Sequence, residues 1–193
     1  VHRLAYVPTT GIEAGGPVFK ADWERRVFGC TFAGLGHGLF NVDENRYSRE
    51  RLPPAAYLCC SYFELWLAAL EGNLAAAGVL TREEVDARAR VWRAGTATAP
   101  APRSPPEFVA GMRAAISGGI SPERPASAPP RFAVGQRVRS LPGAPRGHTR
   151  LPRYARGRPA TVVRVLKAYV FPDSNAHGGG EQPQHVYSIR FAA

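Results

Sequence analysis

A short loop, residues 147–157, carries three arginines between two glycines. Arg150, Arg153 and Arg156 stand just before an apolar run that is typical of a β-strand. Glycine permits positive φ and proline fixes φ, so a loop of this composition can keep a defined shape. Guanidinium groups held in such a loop are suited to binding an anionic group. The alternative is a basic turn exposed to solvent, and the loop alone does not separate the two.

A further arginine, Arg46, lies on a predicted helix with Asp43 three residues before it and Glu50 four residues after it. This spacing brings the three side chains to one helix face. An exposed ion pair of this kind is worth only about 0.3–0.5 kcal/mol. Taken alone, Arg46 therefore indicates a solvated helix face rather than a site.

The histidines and cysteines do not have the spacing of metal ligands. His148, His177 and His185 stand on separate predicted loops and at a strand start, without ligand spacing, and we expect structural roles for them. Of three cysteines, Cys59 and Cys60 are adjacent on a predicted helix, where core packing is expected. Neither a disulfide framework nor a CxxC zinc site results. The expectation is a reducing cytoplasm.

The composition excludes some classes and divides the chain by charge. An apolar content of 45% excludes a disordered chain, and no apolar run approaches the roughly 20 residues of a membrane span. Residues 1–130 hold 14 Lys/Arg against 13 Asp/Glu, whereas residues 131–193 hold 11 against 2. The basic C-terminal third is suited to nucleic acid or to an acidic partner surface.

The N-terminal half is predicted to be an extended arm, residues 1–19, followed by a helical domain, residues 20–99. Four helices are expected within that domain. The first begins at Asp22 and ends near the glycines at 34–38, and the second begins with Asp43 as its N-cap. A long third helix spans residues 57–77. A capping box at Thr81 opens the fourth, which continues to about Trp92.

The C-terminal half is predicted to be a linker followed by a β-domain. Residues 100–130 contain eight of the 18 prolines, so we expect a linker with no more than one helical turn near residues 107–116. Within residues 131–193, three runs show the alternation of side-chain type that is typical of β-strands, which predicts an SH3-like β-barrel. Three or four strands would leave that barrel incomplete, so either a partner covers its edge or the natural chain is longer. The fold class is α+β.

Several segments, taken in order, resemble the β subunit of nitrile hydratase. No single segment is decisive, but the ordered set is specific and runs from about residue 17 to residue 193. The segments are PVFKADWE at 17–24, FNVDENRY at 40–47, YFELW at 62–66, FAVGQRV at 132–138, the arginine loop, FPD at 171–173 and GEQPQHVY at 180–187.

The resemblance implies a lyase that hydrates a nitrile to an amide at a low-spin iron(III) or non-corrin cobalt(III) centre. In that family the metal sits on the α subunit, in a Cys-x-x-Cys-Ser-Cys motif with two oxidised cysteines. This chain has no such motif, so we expect it to bind no metal by itself. The implied partners are an α subunit, in a heterodimer or heterotetramer, and a small nitrile.

The resemblance also assigns roles to residues. Arg46 and Arg150 match the two arginines that hydrogen-bond the oxidised cysteine oxygens, at roughly 1.5–3 kcal/mol for each charge-assisted bond. The substrate pocket is expected to include four aromatics, for which plain core packing is the alternative: Phe28, Tyr62, Phe63 and Trp66. Of these, Tyr62 is preferred because a buried hydroxyl needs a partner. Some relatives carry tyrosine at the position of Phe28.

Two departures and two alternatives accompany the resemblance. The family's usual beginning is not recognisable in residues 1–10, and the chain is expected to be C-terminally shortened relative to the family. One alternative is a thiocyanate hydrolase-related subunit, although there the β-like part is divided between two chains. The other is a basic nucleic-acid-binding module, although the aromatics lie mainly in the neutral half rather than among the arginines.

Overall fold

A computed structural model describes residues 17–101 and 105–191. Helices occupy the first part and an antiparallel sheet the last, so the chain is α+β as predicted. Most of the predicted arm, residues 1–19, lies outside the described residues. The elements are α1 Asp22–Gly36, α2 Val42–Glu50, α3 Pro54–Cys59, α4 Tyr62–Ala76, α5 Arg82–Arg93, α6 Pro106–Gly118, β1 Arg137–Arg139, β2 Pro159–Tyr169, α7 Pro172–Asn175 and β3 Gln184–Phe191.

The helical core forms where α1 and α2 pack on α4. Val27 and Phe63 are buried there, and the Phe40 ring lies against Gly34. A Cβ at Gly34 would come within 2.6 Å of that ring, so only glycine lets α1 approach so closely. Across the part of the chain that the structure describes, no helix is long and apolar enough to cross a bilayer.

Two helix boundaries differ from the prediction. The apolar run at residues 57–77 is two helices, α3 and α4, because Ser61 and Glu64 form a capping box that starts a new helix. The N-cap of α2 is Asn41, not Asp43, and Asn41 forms a capping box with Glu44. The predicted box at Thr81 is confirmed as the start of α5.

The predicted linker is partly structured. It contains α6, a helix of 13 residues, rather than a single turn. Beyond it, Glu123 pairs with Tyr169 at the end of β2. Arg124 then donates to both carboxylate oxygens of Glu181, at 2.6 and 2.7 Å. The linker therefore lies against the sheet.

The sheet has the order β1-β2-β3 and is antiparallel throughout. Only residues 137–139 of the run at 131–139 form a strand, because the chain turns at Gly135, whose φ is +85°. The pairing of β2 with β3 contains two register shifts, which bend the ribbon. The three described strands form an open sheet, so a closed SH3-like barrel stays a prediction.

Candidate functional site

A wide groove of about 1480 Å³ lies between the helices and the sheet. One wall comes from α2 and α4, and the other from β2, the segment that follows it and the arginine loop. The two arginines singled out from sequence, Arg46 and Arg150, both line it although 104 positions separate them. The fold therefore brings the two candidate residues to one open surface.

Arg46 is partly held within the chain. Its Nη1 donates to Asp43 Oδ1 at 3.0 Å, which is the helix-face pairing that the spacing suggested. Asp43 is buried, and its second oxygen accepts a hydrogen bond from Asn175 Nδ2 at 2.9 Å. The Arg46 side chain stays 38% exposed. Asp43 thus orients the guanidinium while leaving its other donors open to the groove.

The cap of α2 ties this arrangement to the sheet. Asn41 Oδ1 accepts from the backbone N–H groups of Asp43 and Glu44, both at 2.9 Å. The amide nitrogen of Asn41 donates to the carbonyl of Asn175 at 2.9 Å. Two hydrogen bonds therefore connect the first turn of α2 with α7, the short helix between β2 and β3.

On the loop side, His148 acts as an anchor. Its ring is fully buried, and Nδ1 lies 2.8 Å from Glu50 Oε2 on α2. The backbone N–H of His148 donates to His177 Nε2 at 3.0 Å. Gly147 is required here, since a Cβ would come within 2.3 Å of that nitrogen. The loop therefore reaches α2 only two residues before Arg150.

The three loop arginines have different environments. Arg156 Nε and Nη2 donate to the Leu151 carbonyl at 3.4 and 3.3 Å, so Arg156 supports the loop itself. Arg153 is exposed in a short 3₁₀ turn. Arg150 is exposed and, within residues 17–101 and 105–191, has no hydrogen-bond or ion-pair partner. Of the three, only Arg150 lines the groove.

The four predicted pocket aromatics divide into two pairs. Tyr62 and Trp66, on α4, line the groove. Phe28 and Phe63 lie in the cluster around Trp66, with centroid distances of 6.1 and 5.9 Å. Tyr62 is 61% exposed, so the premise of a buried hydroxyl was wrong for this chain.

Sequence reasoning missed two contributors to the groove. Arg49 lies one turn after Arg46, with its Cζ 5.2 Å from the Trp66 ring centroid, and burial lowers the pKa of its guanidinium. Glu50 was read as a partner of Arg46 but binds His148 instead. The i, i+3 spacing could have identified Arg49, whereas nothing local links Glu50 to a residue 98 positions away.

The histidines do not converge as metal ligands. Both ring nitrogens of His185 lie 3.1 Å from backbone carbonyls, those of Leu166 and Ala128. His177 Nε2 accepts from the main-chain N–H of His148, so this ring nitrogen is already hydrogen-bonded within the chain. In the described ranges, no three His, Cys, Asp or Glu side chains are arranged to hold a metal ion.

Comparisons with known proteins agree with the resemblance. Family models match the chain in two parts, the N-terminal part of the nitrile hydratase β subunit over residues 4–112 and its C-terminal part over residues 121–193. The low-molecular weight cobalt-containing nitrile hydratase subunit beta of Rhodococcus rhodochrous is 38% identical, over 94% of this chain and 80% of its own length. The nitrile hydratase subunit beta of Pseudomonas putida is 40% identical, over 94% and 79%. The cobalt-containing subunit of Pseudonocardia thermophila is 35% identical, over 92% and 76%.

Proposed function

The chain belongs to the nitrile hydratase β-subunit family, and from this premise we propose how it takes part in the hydration of nitriles to amides. It acts in complex with an α subunit, as a heterodimer or a dimer of heterodimers. The observation that carries the proposal is the convergence of Arg46 and Arg150 on one open groove. The division into arm, helical domain, linker and β-domain at residues 1–19, 20–99, 100–130 and 131–193 is part of the same proposal.

The exposed area of the chain supports a large interface with a partner. The chain exposes 14611 Å² at a mass of 20.9 kDa, whereas a compact monomer of that mass exposes about 9,000 Å². Residues outside the described ranges can contribute about 3,400 Å² even if each is counted as fully extended. The remaining excess is expected of a subunit that completes its core against another chain.

The two arginines supply donors for anionic oxygens on the partner. Oxidised cysteines carry sulfenate and sulfinate oxygens, which accept several charge-assisted hydrogen bonds at once. Arg46 presents donors already oriented by Asp43, and Arg150 presents a guanidinium without a partner in the described part of this chain. Lewis-acid activation would come from the cobalt(III) or iron(III) held by the α subunit. This chain's part is to orient the ligands around that centre.

The aromatic wall forms the nitrile pocket in this proposal. Tyr62 and Trp66 face the groove, and Phe28 and Phe63 pack behind them. An apolar wall beside charged donors suits a small molecule with an apolar body and a polar nitrile end.

Two further parts of the proposal concern the sheet and the location. The strongly bent ribbon of β2 and β3 is a fragment of an SH3-like barrel, whose open edge a partner covers. The location is a reducing cytoplasm, which is supported by three unpaired cysteines, Cys30, Cys59 and Cys60.

The test is to substitute each arginine in turn and to measure the complex that each variant forms with a matching α subunit. Arg46→Lys and Arg150→Lys keep the charge but lose the planar fork, so we expect kcat to fall by roughly 10²-fold or more with the complex assembled. Arg153→Lys, on the same loop but outside the groove, is the control and should keep its rate. Full activity in both test variants would contradict the assigned roles. Purified alone, the chain should contain no stoichiometric cobalt or iron by elemental analysis.

A further inference from the structure

Arg49 is a partly buried cation without an acid to balance it. Its guanidinium carbon lies 5.2 Å from the ring centroid of Trp66, and its Nε donates to the Asn45 carbonyl at 3.3 Å. Among the residues that the structure describes, no carboxylate lies within ion-pair distance of Arg49. The charge is therefore held by an aromatic face, a backbone carbonyl and Tyr62 rather than by a carboxylate.

Partial burial of a guanidinium without a carboxylate partner carries a desolvation cost. An arginine at such a position therefore indicates that its charge has a role. Desolvation lowers the pKa of Arg49, Tyr62 opposes that shift, and the neighbouring charge of Arg46 adds to it. A leucine or methionine could pack on Trp66 without this penalty. The side chain lines the groove between Arg46 and the aromatic wall, so the groove is where its charge can act.

Trp66 is the centre of that wall. Its ring lies 5.6 Å from Tyr62 and 6.5 Å from Phe32, measured between centroids. The Arg49 guanidinium lies over the face of Trp66, so a cation–π contact adds to the aromatic contacts that hold the ring. Arg49 and Tyr62 line the groove together with Trp66, on the same surface as Arg46 and Arg150.

We propose that Arg49 is a specificity-determining positioning residue of the nitrile site. It fixes the plane of Trp66 and gives the groove a flat wall that favours nitriles carrying an aromatic ring over short aliphatic nitriles. The physical reason is that a ring can stack on this wall, whereas a short aliphatic chain covers little of it. This inference rests on the proposed function.

The experiment compares benzonitrile with acrylonitrile in the assembled α–β complex. Arg49→Met leaves a shorter, unbranched apolar side chain that can still pack near Trp66, and it removes the charge and the planar group. We expect kcat/KM for benzonitrile to fall about tenfold, mainly through KM, and that for acrylonitrile to stay within about twofold. Arg49→Lys restores the charge without the plane, so a loss of about threefold for benzonitrile is expected.

The matched control is Arg51, the C-cap residue of α2. Arg51 places its guanidinium 4.9 Å from the Tyr47 ring centroid but does not line the groove, so Arg51→Met should leave the ratio of the two kcat/KM values unchanged. An equal fall for both nitriles, or an unchanged ratio in Arg49→Met, overturns the inference. If Arg49→Met does not assemble with the α subunit, the ratio of the two kcat/KM values is measured in Arg49→Lys, and an unchanged ratio there overturns the inference. Failure of the unsubstituted complex to hydrate either nitrile would instead overturn the proposed function.

Discussion

The two walls of the groove hold their arginines in different ways. On the helix wall, a buried carboxylate binds the guanidinium of Arg46 directly. On the loop wall, Arg150 has no partner among the described residues, and the chain is fixed two positions earlier, by the buried ring of His148. One side orients the functional group itself, and the other orients only the backbone that carries it.

The difference has a physical consequence for binding. Arg46 gives up one donor to Asp43 and in return loses little rotamer entropy when a partner arrives. Among the described residues none binds Arg150, so its donors are available to a partner, but fixing its long side chain on binding would cost rotamer entropy. An anion between the two walls would therefore meet one pre-oriented donor and one that adapts to it.

The largest expected effect comes from removing the anchor of the loop wall. His148→Ala leaves a cavity in place of a fully buried ring and removes the hydrogen bond to Glu50, which we expect to cost about 2–4 kcal/mol. The apparent Tm of the α–β complex should fall by about 5–10 °C, and activity should fall because Arg150 is no longer positioned. Differential scanning calorimetry and the nitrile-hydration rate measure the two effects.

His37→Ala is the control for this change, since His37 is exposed and stacks on Phe108 at 4.2 Å between centroids. Its apparent Tm should fall by much less. Equal shifts for the two histidines would contradict the anchoring role of His148.

A smaller effect is expected on the helix wall. Asp43→Asn keeps the shape of a buried side chain but removes the charge that holds Arg46, at a cost of about 1–3 kcal/mol. Asp86→Asn is the matched control, because Asp86 is also paired with an arginine on its own helix, at 3.7 Å, but is exposed. It should cost less than about 0.5 kcal/mol. Calorimetry of both complexes distinguishes them, and similar losses would mean that burial of Asp43 is unimportant.

The smallest effect, which depends on pH, concerns an exposed ion pair, Arg124 and Glu181, that also lines the groove. Hydrogen bonding to Arg124 lowers the pKa of Glu181, so this carboxylate stabilises the folded state above its unfolded-state pKa. The contribution is lost as the pH falls through the lowered pKa. The difference in apparent Tm between the unsubstituted complex and Glu181→Gln should therefore be present above about pH 5 and vanish in more acidic buffer. A difference that grows on acidification would reverse the assigned sign.

Local signals in the sequence predicted much of the helical half. Thr81 and Glu84 form the predicted capping box, and α1 has the predicted range. The break at Ser61 was missed because the apolar run continues across it, although Ser61 and Glu64 have capping-box spacing. Asn41 was passed over for a different reason: Asp43 is an equally common cap residue.

The site was harder to predict because its contacts are non-local. Resemblance named Arg46 and Arg150, and the groove brings them together. The pairing of His148 with Glu50 joins positions 98 residues apart, which no periodicity can reveal. Arg49 was overlooked because a charged residue on a helix is usually solvated, and only the fold sets it on Trp66.

The hydrogen bonds between α2 and Asn175 have a consequence for biosynthesis. The cap residue Asn41 and the carboxylate Asp43 reach partners 134 and 132 positions later in the chain. During translation the helical half leaves the ribosome first, so α2 can form and cap itself while Asp43 still lacks its second partner. Contacts of such high sequence separation are completed late in folding. The guanidinium of Arg46 thus reaches its final setting only after the chain has been made as far as Asn175.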